Sequence, residues 1–416
     1  MTELAQKRLA LAEQVRRELA TDNRLIPAHA QAFVRGLQTT WRVPADPMSE
    51  DETEELMQDA LRLIHAAKVC RELEGSASLS SSDCYRRAAE LLEWLIRMQQ
   101  EPTGIVPVKL LAAAAFQLGG LPAMASALLG QLESHDAGTL LFSNFLRGDF
   151  NAVVENTLSF WQLNPELTER NASMRLLATG VSGNAEDAAD EDRDRDSEAG
   201  NLEWYFIVEL VRSLGVFSSS LMQGDSSRMQ QGLLKLEALD KMATRTFGDE
   251  ISMLISLLAA VAERYRSTSI YGPVLKLARI KPEREDRLRK FARDQFSRGR
   301  GILWPSQLRG LDRLLNSTSF ALCTPTGSGK TLVANLALVK ELMLVSDEES
   351  GPLALYLVPS RALAGEVEAK LVSELGKDFI VTGLYGGADW GITDYWLNAD
   401  KPTVLIATVE KAVNNG

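Results

Sequence analysis

FALCTPTGSGKT, spanning Phe320 to Thr331, runs from four apolar or small residues through a loop with two glycines into an apolar-periodic segment. Phe320 to Cys323 read as a buried strand, Thr324 to Lys330 as a turn, and the residues from about Thr331 as a helix. That order suits a phosphate. Gly327 and Gly329 let backbone N–H groups close around phosphate oxygens, with Thr324, Pro325, Thr326 and Ser328 completing the loop. Lys330 reaches the β and γ phosphates, the Thr331 hydroxyl takes a place on Mg²⁺, and the helix N-terminus adds its partial positive charge. The general form of such a loop has glycine where this chain has Thr324. A plain Gly-Ser turn followed by a lone lysine is the alternative.

Downstream, the pattern alternates between strand and helix. A helix runs to about Leu344, and a polar, acidic loop follows at 346–351. A strand over Leu353 to Val358 ends in Pro359-Ser360-Arg361, and a helix follows through Leu375. Phe379 to Tyr385 reads as a strand ending in Gly386-Gly387, and Thr403 to Ala407 as a strand ending in Thr408. Strands separated by helices build a parallel sheet, whose ligand loops lie at the carboxyl ends of its strands. By their chemistry, Arg361 and the backbone after Pro359 can bind phosphates of a strand, Gly386-Gly387 can let one approach closely, Thr408 can donate a hydroxyl and Lys411 can add charge. Each has an ordinary reading as well, a surface charge or a plain turn.

Taken together, LWPSQ (303–307), TPTGSGKT (324–331), VPSRALAGE (358–366), LYGG (384–387) and ATVEKA (407–412) resemble, in order, the motifs of the first RecA-like domain of a superfamily-two helicase, the DExD/H-box group. Thr324 fits that group's version of the phosphate loop. The RALAGE and T-x-E-K wording resembles the Ski-like branch. The resemblance implies ATP and Mg²⁺ as cofactors, an adenine contact from Gln307, and DNA or RNA bound through Pro359, Ser360, Arg361, Gly386, Gly387, Thr408, Glu410 and Lys411. The same resemblance implies an Asp-Glu pair after ATVEKA and a second domain with an arginine finger, neither of which is reached by Gly416. Residues 1–416 are therefore expected to be the N-terminal part of a longer enzyme, binding nucleotide but hardly hydrolysing it.

The resemblance covers about a quarter of the chain, and the rest reads as helix on helix. Apolar positions recur at helical spacing from Met1 to about Leu37. Ser49 with Glu52 forms a capping box for a helix to about Leu73, and Ser82 or Asp83 can cap the next. Gly119-Gly120 and Gly148-Asp149 each separate a helix pair, at a spacing close to that of helical-hairpin repeats. The expected fold class is α + α/β: a helical, α-solenoid-like region over 1–179, with an irregular helical domain as its alternative, and a partial RecA-like parallel α/β domain over 301–416. Between them stand an acidic segment at 180–200 too poor in apolar residues to order itself, helices over 201–275, and a basic connector at 276–300.

Composition narrows the class. The net charge of −11 is unevenly placed: 276–416 holds 19 basic against 17 acidic residues, leaving 26 against 39 for 1–275. Such acidity speaks against indiscriminate nucleic-acid binding, yet permits a local track. The longest apolar run noted, Ile251 to Ala262, is too short to span a bilayer, so no membrane partner is expected. Three scattered cysteines and three histidines indicate neither a disulfide framework nor a metal centre, and the cytoplasm is the expected location. The function expected is an ATP-dependent helicase or translocase with a helical region that engages a protein partner. The alternatives are a non-catalytic helical adaptor with a nucleotide-sensing core and a phosphate-loop ATPase that remodels proteins.

Overall fold

The computed structural model describes residues 2–21, 26–44, 46–100, 106–132, 136–165, 191–317, 319–323, 329–343, 352–376, 379–384 and 401–414. The chain divides into two compact units, Met1–Ser267 and Thr268–Gly416.

The first unit consists, among the described residues, of helices α1 (Glu3–Arg16), α2 (Pro27–Thr40), α3 (Glu50–Glu74), α4 (Leu79–Arg97), α5 (Val108–Leu118), α6 (Pro122–Leu129), α7 (Ala137–Arg147), α8 (Phe150–Leu163), α9 (Glu191–Gln223), α10 (Ser226–Thr246) and α11 (Asp249–Thr268). From α3 to α10 each packs on the next in chain order, as stacked hairpins do. The periodicity expected over 1–37 is divided between α1 and α2, because Pro27 lacks the N–H an interior position needs and instead opens α2.

Caps set these boundaries. The capping box is formed: Ser49 Oγ accepts the Glu52 N–H at 3.2 Å, and Glu52 accepts the Ser49 N–H at 2.8 Å. Helix α4 is capped by Ser78, whose Oγ accepts the Ser81 N–H at 3.0 Å, and not by Ser82 or Asp83. Both of the nearer serines point elsewhere, Ser81 donating to the Ala67 carbonyl at 2.9 Å and Ser82 to that of Gly119 at 3.3 Å. Of the acidic segment expected to be a linker, 180–190 lie outside the described residues, whereas 191–200 form the first turns of α9.

Helix α9 also corrects the estimate of apolar length. Tyr205–Gln223 is long and apolar enough by composition to cross a bilayer, but 67% of that stretch is buried among its neighbours, the pattern of a core helix. The core centres on Tyr265 and Phe145, with rings 5.5 Å apart and Phe150 and Phe217 edge-on around them. The buried Tyr265 hydroxyl donates to the carbonyls of Phe145 and Leu146 at 3.0 and 2.9 Å, and Gln117 Nε2 donates to Leu146 at 2.7 Å. Carbonyls of the last turn of α7 are thus satisfied by side chains from α11 and α5. A second buried polar cluster holds His29, with Nε2 3.0 Å from Asp59 and Nδ1 3.2 Å from Arg87.

The second unit begins with a helical pair, α12 (Tyr271–Ile280) and α13 (Glu285–Ser297), then α14 (Pro305–Asn316), α15 (Lys330–Met343), β1 (Leu353–Val358), α16 (Arg361–Leu375), β2 (Ile380–Leu384), β3 (Thr403–Thr408) and α17 (Val409–Asn414). The residues expected as a basic connector therefore form the second half of α12 and all of α13. The sheet is parallel, in the order β1-β3-β2. Central β3 is buried at every position, as a strand flanked on both sides must be. On β1 alternate residues Leu353, Leu355 and Leu357 remain 53%, 52% and 48% exposed. Helix α15 packs beside β1, and α16 covers β2 and β3.

One expected strand is absent. Phe320–Cys323 has no strand conformation, and Phe320 is 38% exposed. A β-strand exists only as a member of a ladder, and none of the described residues pairs with this run. The architecture is a helical region followed by a partial RecA-like α/β domain.

Candidate nucleotide and strand-binding site

Parallel strands in register place their carboxyl ends at one edge. Val358 lies opposite Thr408, and Leu384 opposite Ala407. The segments that leave β1 and β3, Pro359-Ser360-Arg361 and Val409-Glu410-Lys411, are therefore side by side. Ser360 caps α16, its hydroxyl accepting the Leu363 N–H at 3.4 Å, which places exposed Arg361 on the first turn. Arg361 forms no ion pair among the described residues, so its guanidinium is available to a phosphate. Thr408 is buried to 5%, and its oxygen accepts the Lys411 N–H at 3.4 Å. An accepting hydroxyl retains its own hydrogen to donate. Glu410 is exposed beside it.

At the nucleotide end, Gln307 is the organising side chain. Its Oε1 accepts the Trp304 backbone N–H at 2.7 Å, closing the first turn of α14, and its Nε2 donates to the Gly329 carbonyl at 3.2 Å. One Nε2 hydrogen is then left for a base edge. Gly329 has φ 76°, and a Cβ there would overlap the Gln307 amide, so glycine is required on both counts. Lys330 starts α15 and Thr331 follows, both exposed. A close-approach glycine and an amine and a hydroxyl at a helix N-terminus are a donor set that fits nucleotide phosphates and one Mg²⁺ ligand. Thr324, Pro325, Thr326, Gly327 and Ser328 of the loop, and Gly386 and Gly387, lie outside the described residues.

Motif reasoning missed the group that links these ends. Glu374 on α16, its side chain 3% exposed, accepts from Asn335 Nδ2 of α15 at 2.6 Å and from Arg300 at 2.7 Å. Arg298 donates to the Ser373 carbonyl at 3.0 Å. The two arginines belong to the basic run, where composition alone gave no hint of a buried partner. Lys340 of α15 donates to the Leu314 carbonyl of α14 at 3.2 Å, so the helix behind the phosphate loop is held from two sides.

Residues 304–415 match the DEAD/DEAH box helicase family. This segment is of superfamily-two helicase type. Its relatives include the Hachiman protein HamB of Bacillus cereus, 33% identical over 160 residues, which are 38% of this chain and 14% of that protein. The ATP-dependent DNA helicase Hel308 of Thermococcus kodakarensis is 36% identical over 118 residues, 27% of this chain and 9% of that protein. Hel308 of Pyrococcus horikoshii is 38% identical over 118 residues, covering 27% and 15%. The match thus spans less than a sixth of the length of each of these curated relatives. The HamB match, at 160 residues, is longer than the helicase segment itself.

Proposed function

We propose that this chain provides the ATP-binding and strand-gripping part of a nucleic-acid helicase or translocase, with its helical region engaging a protein partner. The observation that carries the reading is the second unit's single carboxyl edge, where Arg361 just beyond β1 and Thr408 at the end of adjacent β3 are brought together, combined with the Gln307–Gly329 contact in the same unit. Bound Mg-ATP supplies the phosphoryl group whose transfer drives the motor. This chain's residues bind and orient it: Gln307 by a hydrogen bond to the base, Lys330 by charge on the β and γ phosphates, and Thr331 by a hydroxyl on the metal. Arg361 and Thr408 hold strand phosphates without reading bases, which suits a motor that must leave every sequence it meets.

The RALAGE wording and the Hel308 relatives favour the Ski-like branch. A groove of ≈ 830 Å³ in the helical unit, bordered by half-exposed Phe33 and Val34 together with Trp94 and Met124, favours a protein partner there. Cys70, Cys84 and Cys323 are free thiols, in keeping with the reducing cytoplasm.

Strand binding tests the reading. Arg361→Ala and Thr408→Val should each weaken binding of a labelled single-stranded oligonucleotide, by about 3- to 10-fold as expected for one phosphate contact, with Thr408→Ser restoring it. If both variants bind as the unaltered chain does, the protein-remodelling alternative replaces this one.

A further inference from the structure

The helical pair before the helicase segment carries a charge pattern that the motifs leave unexplained. Between 276 and 300 there are ten Lys and Arg against four Asp and Glu, whereas 301–416 hold nine against thirteen. The helicase segment proper is therefore net negative, and the positive charge of its unit is concentrated in α12 and α13. Leu277, Leu288, Phe291 and Phe296 are turned inward, and the rings of Tyr271 and Phe296 stack at 5.7 Å. The opposite side presents Lys276, Arg279, Arg287, Lys290 and Arg293, all exposed, none in an ion pair or hydrogen bond among the described residues. Five long cations kept out of ion pairs repel one another and gain most from a polyanion whose counterions they can release.

The pair is fastened to the segment it precedes. Ile270 N–H donates to the Gly301 carbonyl and Leu303 N–H to that of Thr268, both at 2.9 Å. Arg298 and Arg300 grip the C-terminal turn of α16, the helix whose first residue is Arg361. A strand lying on these cations would be held by the same body that carries the motif residues.

We propose that the outward face of α12 and α13 is a second nucleic-acid contact, made to the phosphate backbone. It rests on the proposed function and adds to it a surface outside every helicase motif. Since the aromatic rings of the pair face inward, the contact has no stacking platform and reads no sequence; its affinity is electrostatic and salt-dependent.

The test uses the full chain and fluorescence anisotropy with a labelled oligothymidylate, measured across a range of KCl concentrations. A variant with Lys276, Arg279, Arg287, Lys290 and Arg293 all changed to Gln should lose about tenfold or more in affinity at low salt. Its plot of log affinity against log salt should be shallower by about 3 to 4, at ~0.7 per single-strand phosphate contact. Its affinity for a fluorescent ADP analogue should be unchanged, which also shows that the second unit is folded. Arg361→Ala removes a single contact and should shift the slope by less than one. An unchanged slope in the five-residue variant, with strand binding still weakened by Arg361→Ala, overturns this proposal alone. No strand binding by the unaltered chain overturns the proposed function along with it.

Discussion

Asn335 and Glu374 are joined by a 2.6 Å hydrogen bond between the helix that follows the phosphate loop and the helix that follows Arg361. Because the second oxygen of Glu374 is taken by Arg300, one buried carboxylate connects the nucleotide end, the strand end and the turn after α13. Movement of α15 on nucleotide binding would be felt at α16 through a rigid link.

Removing that link should be costly. Glu374→Ala leaves the amide of Asn335, itself 1% exposed, without its acceptor, and should destabilise the second unit by about 1 to 3 kcal/mol. Arg300→Ala should cost less, since its guanidinium is 43% exposed and water can replace part of the interaction. Urea unfolding of both variants ranks them; equal loss would show that Asn335 does not depend on the carboxylate.

Nucleotide binding and turnover should separate in these 416 residues. We expect ADP or ATP to bind with a dissociation constant of roughly tens of micromolar to millimolar, about 4 to 6 kcal/mol, by calorimetry. Lys330→Ala should abolish this binding, and Gly329→Ala should weaken it at least as much as loss of Gln307 does, since a Cβ there displaces that side chain. Gln307→Ala should weaken binding and reduce the preference for adenine. Phosphate release should stay at background, since charge neutralisation at the γ phosphate needs a metal-binding carboxylate. Robust turnover would assign that role to another residue such as Glu410.

A pH dependence follows from Asp59. His29 stands between Asp59 and Arg87, with Nε2 3.0 Å from the first and Nδ1 3.2 Å from the second. Burial pushes the Asp59 carboxyl up, but the hydrogen bond and charge from His29, joined by Arg62, hold it below the usual range. A depressed carboxyl contributes stability that is present above its unfolded value of about 4 and is lost as pH falls through the folded value. The urea midpoint of the helical unit should fall on acidification below about pH 4, and Asp59→Asn should flatten that fall. An identical acid slope in the variant would assign the effect to other carboxylates.

Tyr265→Phe removes one hydroxyl and two hydrogen bonds from the end of α7. Both carbonyls keep another donor, Leu146 the Gln117 amide at 2.7 Å and Phe145 the Gly148 N–H at 3.0 Å. The expected loss is about 0.5 to 1.5 kcal/mol in the unfolding of the helical unit, with the ring packing preserved. A loss below about 0.5 kcal/mol would mean that water reaches the carbonyl in the variant.

Where local chemistry fixes an element, the sequence was legible. The strand over Leu353–Val358, the helix to Leu375 and the Ser49–Glu52 capping box follow from hydrophobic period and cap residues, which act within a few positions. Phe320–Cys323 has the composition of a strand but no ladder partner, and pairing is a long-range property that no window of residues contains. The same holds for Ser78 as the cap of α4, which was decided by where Ser81 and Ser82 found acceptors. At the candidate site, motif spacing singled out Gln307, Arg361 and Thr408 as candidates. It could not locate Asn335 and Glu374, since a buried amide and carboxylate in two helices look like any polar residues until the helices meet.

The half-exposed leucines of β1 bear on how the protein behaves in a test tube. Among the described residues, one side of β1 has no neighbouring strand, so its backbone donors and acceptors stand beside Leu353, Leu355 and Leu357. An apolar edge of that kind is a template for joining other molecules strand to strand, and the chain at high concentration should cluster through it unless something covers it. A single lysine in place of Leu355 would put a desolvation cost on every such pairing while leaving the buried register of β3 alone. Solubility, and with it the protein concentration at which binding experiments remain interpretable, would thus depend on a three-leucine row on the strand that leads into VPSRALAGE.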